Sequence, residues 1–385
     1  MSEDLERGEP DALSSPEGRL SPSADLAPQL ARFVDAVRRR EATIDALLPL
    51  LAASEKAPLP GRGATLERFS LLASVAAADV TAGRVLEPHL DALAILDEAR
   101  VTPPVAYATW GVFAAESPSD RLVARHEQHG WRVSGVKPWC SLGARLDAAL
   151  VTAYIDPSGD DSSDSGSSGS DPSPGSGSSR RLFAVRLQHD SVHSPHHTWV
   201  ARGLSEVDSG PLRFDATPAQ PVGADDWYLS RPGFEWGGIG VAATWWGGAV
   251  PLCTAIAASA RAKAPSGMVE QRIGALWQAM FAARTLIERA AALIDLAPTG
   301  SALSNTGTRS REEWAVIAHA VRGATALAVD DAVDAVRDIL GPAALCTDES
   351  IARRVADLQT YTAQYHRLRD PASLGRRVIA DEVAW

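Results

Sequence analysis

Hydrophobic spacing in this chain changes period twice, and that alternation restricts its fold more than any single motif. Apolar residues recur at helical intervals from Ala31 to Ala53 (Phe33, Val37, Ile44, Leu47, Leu51) and from Thr65 to Ala99 (Leu72, Val75, Ala76, Val80). After Pro103 and Pro104 the pattern shortens to "WRVSGV", "AALVTAYI", "RLFAVRL" and "GPLRFDA", bounded by Gly, Pro, Asp and Ser as strands are. From Gly238 helical spacing returns through Met268, Ile273, Leu276 and Met280, then Ile317, Val321, Val333 and Ile339. The predicted fold is α+β and multidomain: an N-terminal helical domain at 29–104, a middle β-barrel or sandwich domain at 105–235 and a C-terminal four-helix bundle at 236–385.

Local signals sharpen these boundaries. Ser310 followed by Glu313 has capping-box form, and Thr347 with Asp348 and Glu349 offers an N-cap to a last helix running toward His366. The tract 156–181, almost entirely Ser, Gly, Asp and Pro, cannot bury enough apolar area to offset its ordering entropy; it reads as a disordered insertion at a hairpin. The acidic, Pro- and Ser-rich residues 1–28 read as a disordered tail without signal-peptide character. Trp236–Ala260 carries no charge over a length that could span a bilayer, but its glycines, Pro251 and many alanines suit a buried helix of a soluble protein, so no membrane partner is expected.

Formal charge decides what the surface attracts. With 48 acidic against 37 basic residues the net charge is −11, which argues against nucleic acid as a partner. Cys140, Cys253 and Cys346 are odd in number and widely spaced, fitting a reducing, cytoplasmic compartment and no structural zinc. His189, His193, His196 and His197 match no zinc spacing and read as a solvated loop. No dinucleotide, P-loop, nucleophile-elbow or zincin motif occurs, which removes those enzyme classes.

One stretch asks for chemistry. "KPWCS", Lys137 to Ser141, places a large ring, a thiol and a hydroxyl between two strands, a poor choice for simple chain reversal. In "SGVKPWCSLGARLDAALVTA", together with Glu116 in "AAESPSD", the chain resembles the acyl-CoA dehydrogenase family from about Ala31 onward. The resemblance implies FAD between the β-domain and the C-terminal helices, Trp139 against the flavin ring, Ser141 hydrogen-bonded to it, and Glu116 in the cofactor-binding segment. It also implies a homodimer or homotetramer acting on a small molecule, here an acyl thioester undergoing α,β-dehydrogenation, with the electron acceptor left open.

The departures bear on mechanism. The family's catalytic glutamate near the chain end has no counterpart in "ADLQTYTAQYHRLRD"; Tyr365 and His366 stand near its place, leaving His366 as candidate base. The family's Arg and Phe-Gly diphosphate motif is missing from "SARAKAPSGMVEQ", and its Gly-Gly appears as Gly341-Pro342. Reduced-flavin monooxygenases of the same fold also lack the glutamate and carry a late His before a segment like "HRLRDPASLG". That is the alternative activity; a non-catalytic member kept for binding or assembly is the third.

Overall fold

The computed structural model describes residues 28–39, 43–52, 57–156, 179–197, 199–263, 266–297 and 309–380. Residues 1–27 of the expected tail and 157–178 of the expected insertion lie outside that set. The described residues open with four helices: α1 (Pro28–Arg38), α2 (Ile44–Ala52), α3 (Thr65–Ala78) and α4 (Val80–Ala99). Periodicity carried one helical pattern from Thr65 to Ala99, but the backbone extends at Asp79, whose carboxylate accepts from the Ala82 N–H at 2.8 Å and starts a new helix. Helix α4 is apolar around most of its girth, with Val80, Val85, Leu86, Leu90, Ile95 and Leu96 all buried. Its polar residues Arg84, Glu87 and Asp91, three and four apart, are left sharing one stripe.

Seven strands follow: β1 (Trp110–Phe113), β2 (Leu122–Glu127), β3 (Gly130–Lys137), β4 (Ala148–Ile155), β5 (Arg180–Arg186), β6 (Val192–His193) and β7 (Leu212–Val222). The pairings run β4-β2-β3-β7-β5 and return to β4, which closes a barrel; β1 lies parallel along β4, and β6 pairs with β7. The strands flanking the Ser/Gly/Asp tract pair antiparallel, from Ala148 opposite Arg186 to Tyr154 opposite Arg180.

Two-residue alternation sends Ala149, Val151 and Ala153 into one cluster with Leu122, Val133 and Phe183, contributed by several strands of the ring. Ala148 and Leu150 face the other way, onto Trp110, Ile95 and Leu96, so α4 packs on the outside of the barrel. Burial on both faces explains why β4 reads almost continuously apolar. At Gly135 (φ +118) a β-carbon would stand 2.1 Å from the Arg121 carbonyl, so only glycine permits the irregular register at that point of β3.

The C-terminal part comprises a short α5 (Trp227–Ser230), then α6 (Pro232–Lys263), α7 (Gly267–Asp295), α8 (Arg311–Ala335) running into a π-helical turn at Val336–Leu340, α9 (Gly341–Thr347), α10 (Glu349–Thr362) and α11 (Arg369–Ile379). Ser310 forms the expected capping box with Glu313, and Asp348 caps α10 through the N–H groups of Ser350 and Ile351. Helix α6 is long and apolar enough to cross a membrane, yet 72% of its most apolar window is buried inside the protein. Gly247 of α6 lies so near α3 that a β-carbon there would be 2.2 Å from the Ala73 carbonyl. Arg354 of α10 donates to the carbonyls of Ala76, Ala77 and Ala78 at 2.9 to 3.1 Å, closing the C-terminal end of α3. One apolar cluster therefore runs from Leu30 through the barrel interior to Tyr365.

Candidate active site

Between β3 and β4 both Trp139 (φ 57) and Leu142 (φ 55) adopt the left-handed backbone conformation. For bulky residues this costs about 1–3 kcal/mol each and persists only where the surroundings over-determine it. Here they do. The Cys140 N–H donates to the Gly210 carbonyl at 2.9 Å, the Leu142 N–H to Asp208 at 2.6 Å, and the Cys140 thiol to Lys137 at 3.2 Å. The turn is pinned to the loop before β7, and neighbouring side chains part: Trp139 exposes 62% of its surface, Cys140 1%. Burial pushes the Cys140 thiol up to about 12, which makes it a packing group and not a nucleophile.

Ser141 lies in a directed chain of hydrogen bonds. Ser209 donates its hydrogen to the Val207 carbonyl at 3.0 Å, so the 2.8 Å contact between the two hydroxyls is donated by Ser141. Ser141 in turn accepts from Arg84 Nη2 at 3.0 Å. Arg84 Nη1 stands 3.7 Å from Glu87 Oε2, and the Tyr361 hydroxyl points at the same oxygen from 3.5 Å. The guanidinium also lies 5.7 Å from the Tyr361 ring centroid.

The side chains of Arg84 and Glu87 keep only 14% and 13% of their surface exposed. Burial pushes the Glu87 carboxyl up to about 7, with Arg84 opposing the rise and Asp91 adding to it. Behind Tyr361, Trp245 is fully buried, meeting that ring edge-on at 6.0 Å and carrying the Arg322 guanidinium 4.8 Å from its centroid. Arg322 itself donates to the Gly238 carbonyl at 2.9 Å. An exposed ring, a hydroxyl, a cation and a carboxyl that titrates near neutrality thus stand in sequence from the barrel rim into the helices.

The residues expected from sequence do not all join this row. Glu116, partly exposed, accepts from the buried Lys137 Nζ at 2.9 Å and from the Thr152 hydroxyl at 3.0 Å, a pair that ties the segment after β1 to the end of β3. It acts on the turn by bracing Lys137, the residue two before Trp139. His366 is half exposed on the α10–α11 connection, bonded to Arg369 Nη2 at 2.9 Å; among the described residues no hydrogen bond links it to Ser141, Arg84 or Glu87. Tyr365 beside it is buried.

The four loop histidines form no metal-binding group among the described residues; His197 pairs with Asp208 at 2.6 Å, which raises its pKa. A cleft of about 670 Å³ between α1, α2 and the α9–α10 junction has several of its charges engaged in bracing: Asp79 and Asp348 cap helices, and Arg353 bonds Glu206 at 2.9 Å. Arg84 and Glu87 look from sequence like an ordinary salt-bridged helix face. The signal against that reading is the apolar girth of α4, which leaves the stripe little exposure to bulk solvent.

The fold has counterparts in solved structures. The dibenzothiophene monooxygenase TdsC of Paenibacillus sp. A11-2, in complex with FMN and indole, superposes with a TM-score of 0.71 at 16% identity, covering 92% of this chain and 95% of that one. Methanesulfinate monooxygenase MsuC of Pseudomonas fluorescens gives 0.67 at 19% identity over 94% and 98%. KijD3 in complex with FMN and a dTDP-linked amino keto sugar gives 0.68 at 16% identity over 95% and 97%. The fold is that of the acyl-CoA dehydrogenase-like flavoproteins. No protein-family model matches the chain, and no curated protein does. At such identities the likeness to the acyl-CoA dehydrogenase fold speaks for architecture, and the chemistry has to be argued from the residues.

Proposed function

We propose that the chain is a flavin-dependent monooxygenase of small molecules, using FMN supplied in reduced form. The observation that carries the reading is Trp139: a strained, exposed indole beside a hydroxyl and a half-shared guanidinium, on the rim of a barrel that faces buried helices. Such a set fits a flat heterocycle with polar edges. Bound reduced flavin supplies two electrons to dioxygen, one oxygen atom going to the substrate and the other to water.

The chain's own residues do the rest. Trp139 would cover one face of the ring and keep water from it. Ser141 would redirect its hydrogen from Ser209 toward the bound group, and Arg84, bonded to that hydroxyl, would offset negative charge there. The missing diphosphate motif and Gly341-Pro342 favour FMN over FAD, and the FMN complexes of TdsC and KijD3 support the same choice. The names of TdsC and MsuC support oxygen insertion over acyl-CoA dehydrogenation.

Oxidation of an acyl thioester with FAD is the second reading, and Glu87 is the observation in its favour, because a carboxyl near neutrality could remove the α-proton that the usual glutamate would take. Anaerobic mixing separates the two. Tight binding of reduced FMN, followed on aeration by oxygen uptake, supports the monooxygenase. Bleaching of bound oxidised flavin by a panel of acyl-CoAs supports the dehydrogenase. Self-association belongs to the same proposal: Trp277 and Phe281 stack at 4.9 Å on the outer face of α7 while 53% and 41% exposed, an apolar face that a second copy would cover.

A further inference from the structure

Arg84 has two claimants. Its Nη2 donates to Ser141 at 3.0 Å, while its Nη1 stands 3.7 Å from Glu87, close enough for charge attraction and too far for a hydrogen bond. We propose that Glu87 and the ligand at the Ser141 turn compete for this guanidinium, so that proton uptake by Glu87 accompanies binding of an electron-rich ring there. Glu87 is then a positioning residue, acting on the ligand through Arg84. The ligand's identity rests on the flavin reading; the coupling rests on the Ser141–Arg84–Glu87 geometry.

The groups facing Glu87 single out Arg84. From α4 come Arg84 and Asp91, from α3 Arg68, from α5 Tyr228, from α8 Arg322, and from α10 Tyr361, which α6 holds through Thr244. Arg68 keeps its charge through neutrality even though burial lowers it to about 10. Arg322 is engaged by Gly238 and Trp245. Of the described cations facing Glu87, Arg84 alone also hydrogen-bonds the turn.

When Glu87 is ionised it draws the guanidinium toward α4; when it takes a proton from solvent, Arg84 is released to Ser141 and whatever lies on it. A ligand that gathers negative charge at the turn raises the proton affinity of Glu87. By linkage its own affinity then falls as pH rises through about 7.

The experiment is an anaerobic titration with reduced FMN on either side of that value, at about pH 6 and about pH 8. Wild-type affinity falls severalfold at the higher pH, toward the factor of about ten that a one-unit shift of one carboxyl gives. Glu87→Gln keeps the tighter affinity and retains only the pH dependence that reduced FMN itself contributes through its phosphate and its ring N1; Glu87→Asp restores a carboxylate and with it the further fall. Equal pH ratios in wild type and Glu87→Gln would overturn the proposal.

Absence of FMN binding at both pH values sinks the flavin reading instead. The coupling is then judged on the unliganded protein by carbon-13 NMR of the Glu87 carboxyl: Arg84→Gln must raise its titration midpoint and Ser141→Ala must lower it, by strengthening the claim of Glu87 on Arg84. An unmoved midpoint in both variants overturns the coupling without reference to flavin.

Discussion

Lys137 and Glu87 are both nearly buried charged residues, and their surroundings give them different roles. Lys137, 1% exposed, has every donor answered: Glu116 at 2.9 Å and the Thr152 hydroxyl and carbonyl at 2.8 and 3.0 Å. Glu87 has neighbours at 3.5 and 3.7 Å and no tight partner among those distances, which leaves it free to titrate. Removing the partner of a buried charge costs about 3–5 kcal/mol, so Glu116→Ala should lower stability by roughly that amount in urea unfolding, and Lys137→Met added to it should recover part of the loss. The hydroxyl chain makes a finer prediction. Ser209→Ala releases the hydrogen of Ser141 and should leave reduced-FMN affinity equal or tighter, whereas Ser141→Ala should weaken it by about tenfold, one lost hydrogen bond at a charged site. Equal losses in the two variants would mean that Ser141 does not reach the ligand.

Elements differ in how far local sequence specified them. The capping box at Ser310, the strands on either side of the Ser/Gly/Asp tract and the buried character of α6 follow from residues a few positions apart and were legible, whereas the cap of α10 falls on Asp348, one residue past the expected Thr347, whose hydroxyl instead donates to the Ala343 carbonyl. The break at Asp79 was not, because Asp is tolerated inside an apolar-periodic run and only its extended backbone shows it capping α4. Nor was closure of the barrel, since β4 takes β1, β2 and β5 as partners across distances in sequence that no local pattern encodes. Trp139 and Ser141 stood out in the sequence as candidates because a ring in a turn violates turn chemistry; Arg84 and Glu87 did not, because their burial depends on what surrounds α4. Contact between α3 and α6 gives this scale its test. Gly247→Ala drives a β-carbon onto the Ala73 backbone and should cost several kcal/mol, beyond the usual 1–3 of overpacking, while Gly274→Ala on the open side of α7 should stabilise by up to about 1 kcal/mol. Thermal melts of the two variants check both signs.

For the molecule as a whole, two buried groups set opposing pH dependences. Burial, with Arg68 adding to it, lowers the His89 imidazole to about 4; its Nδ1 accepts from the Trp110 N–H at 3.2 Å, holding β1 to α4. A depressed base makes stability rise with pH between about 4 and the ordinary 6.5, where the unfolded chain binds more protons. Glu87, raised to about 7 from 4.5, makes stability fall between about 4.5 and 7, where the folded chain binds more protons. Each slope amounts to at most about 3 kcal/mol, so they nearly cancel. Unfolding free energy should therefore climb with pH in Glu87→Gln and decline in His89→Gln, and parallel curves would contradict the burial of both groups.

The central claim, that a flavin ring lies on Trp139, is tested most directly by Trp139→Gly. Glycine accepts φ 57 without strain, so the variant should stay within about 1 kcal/mol of wild-type stability while reduced-FMN affinity in an anaerobic titration falls by at least about tenfold. Unchanged affinity in a stably folded Trp139→Gly protein would contradict it.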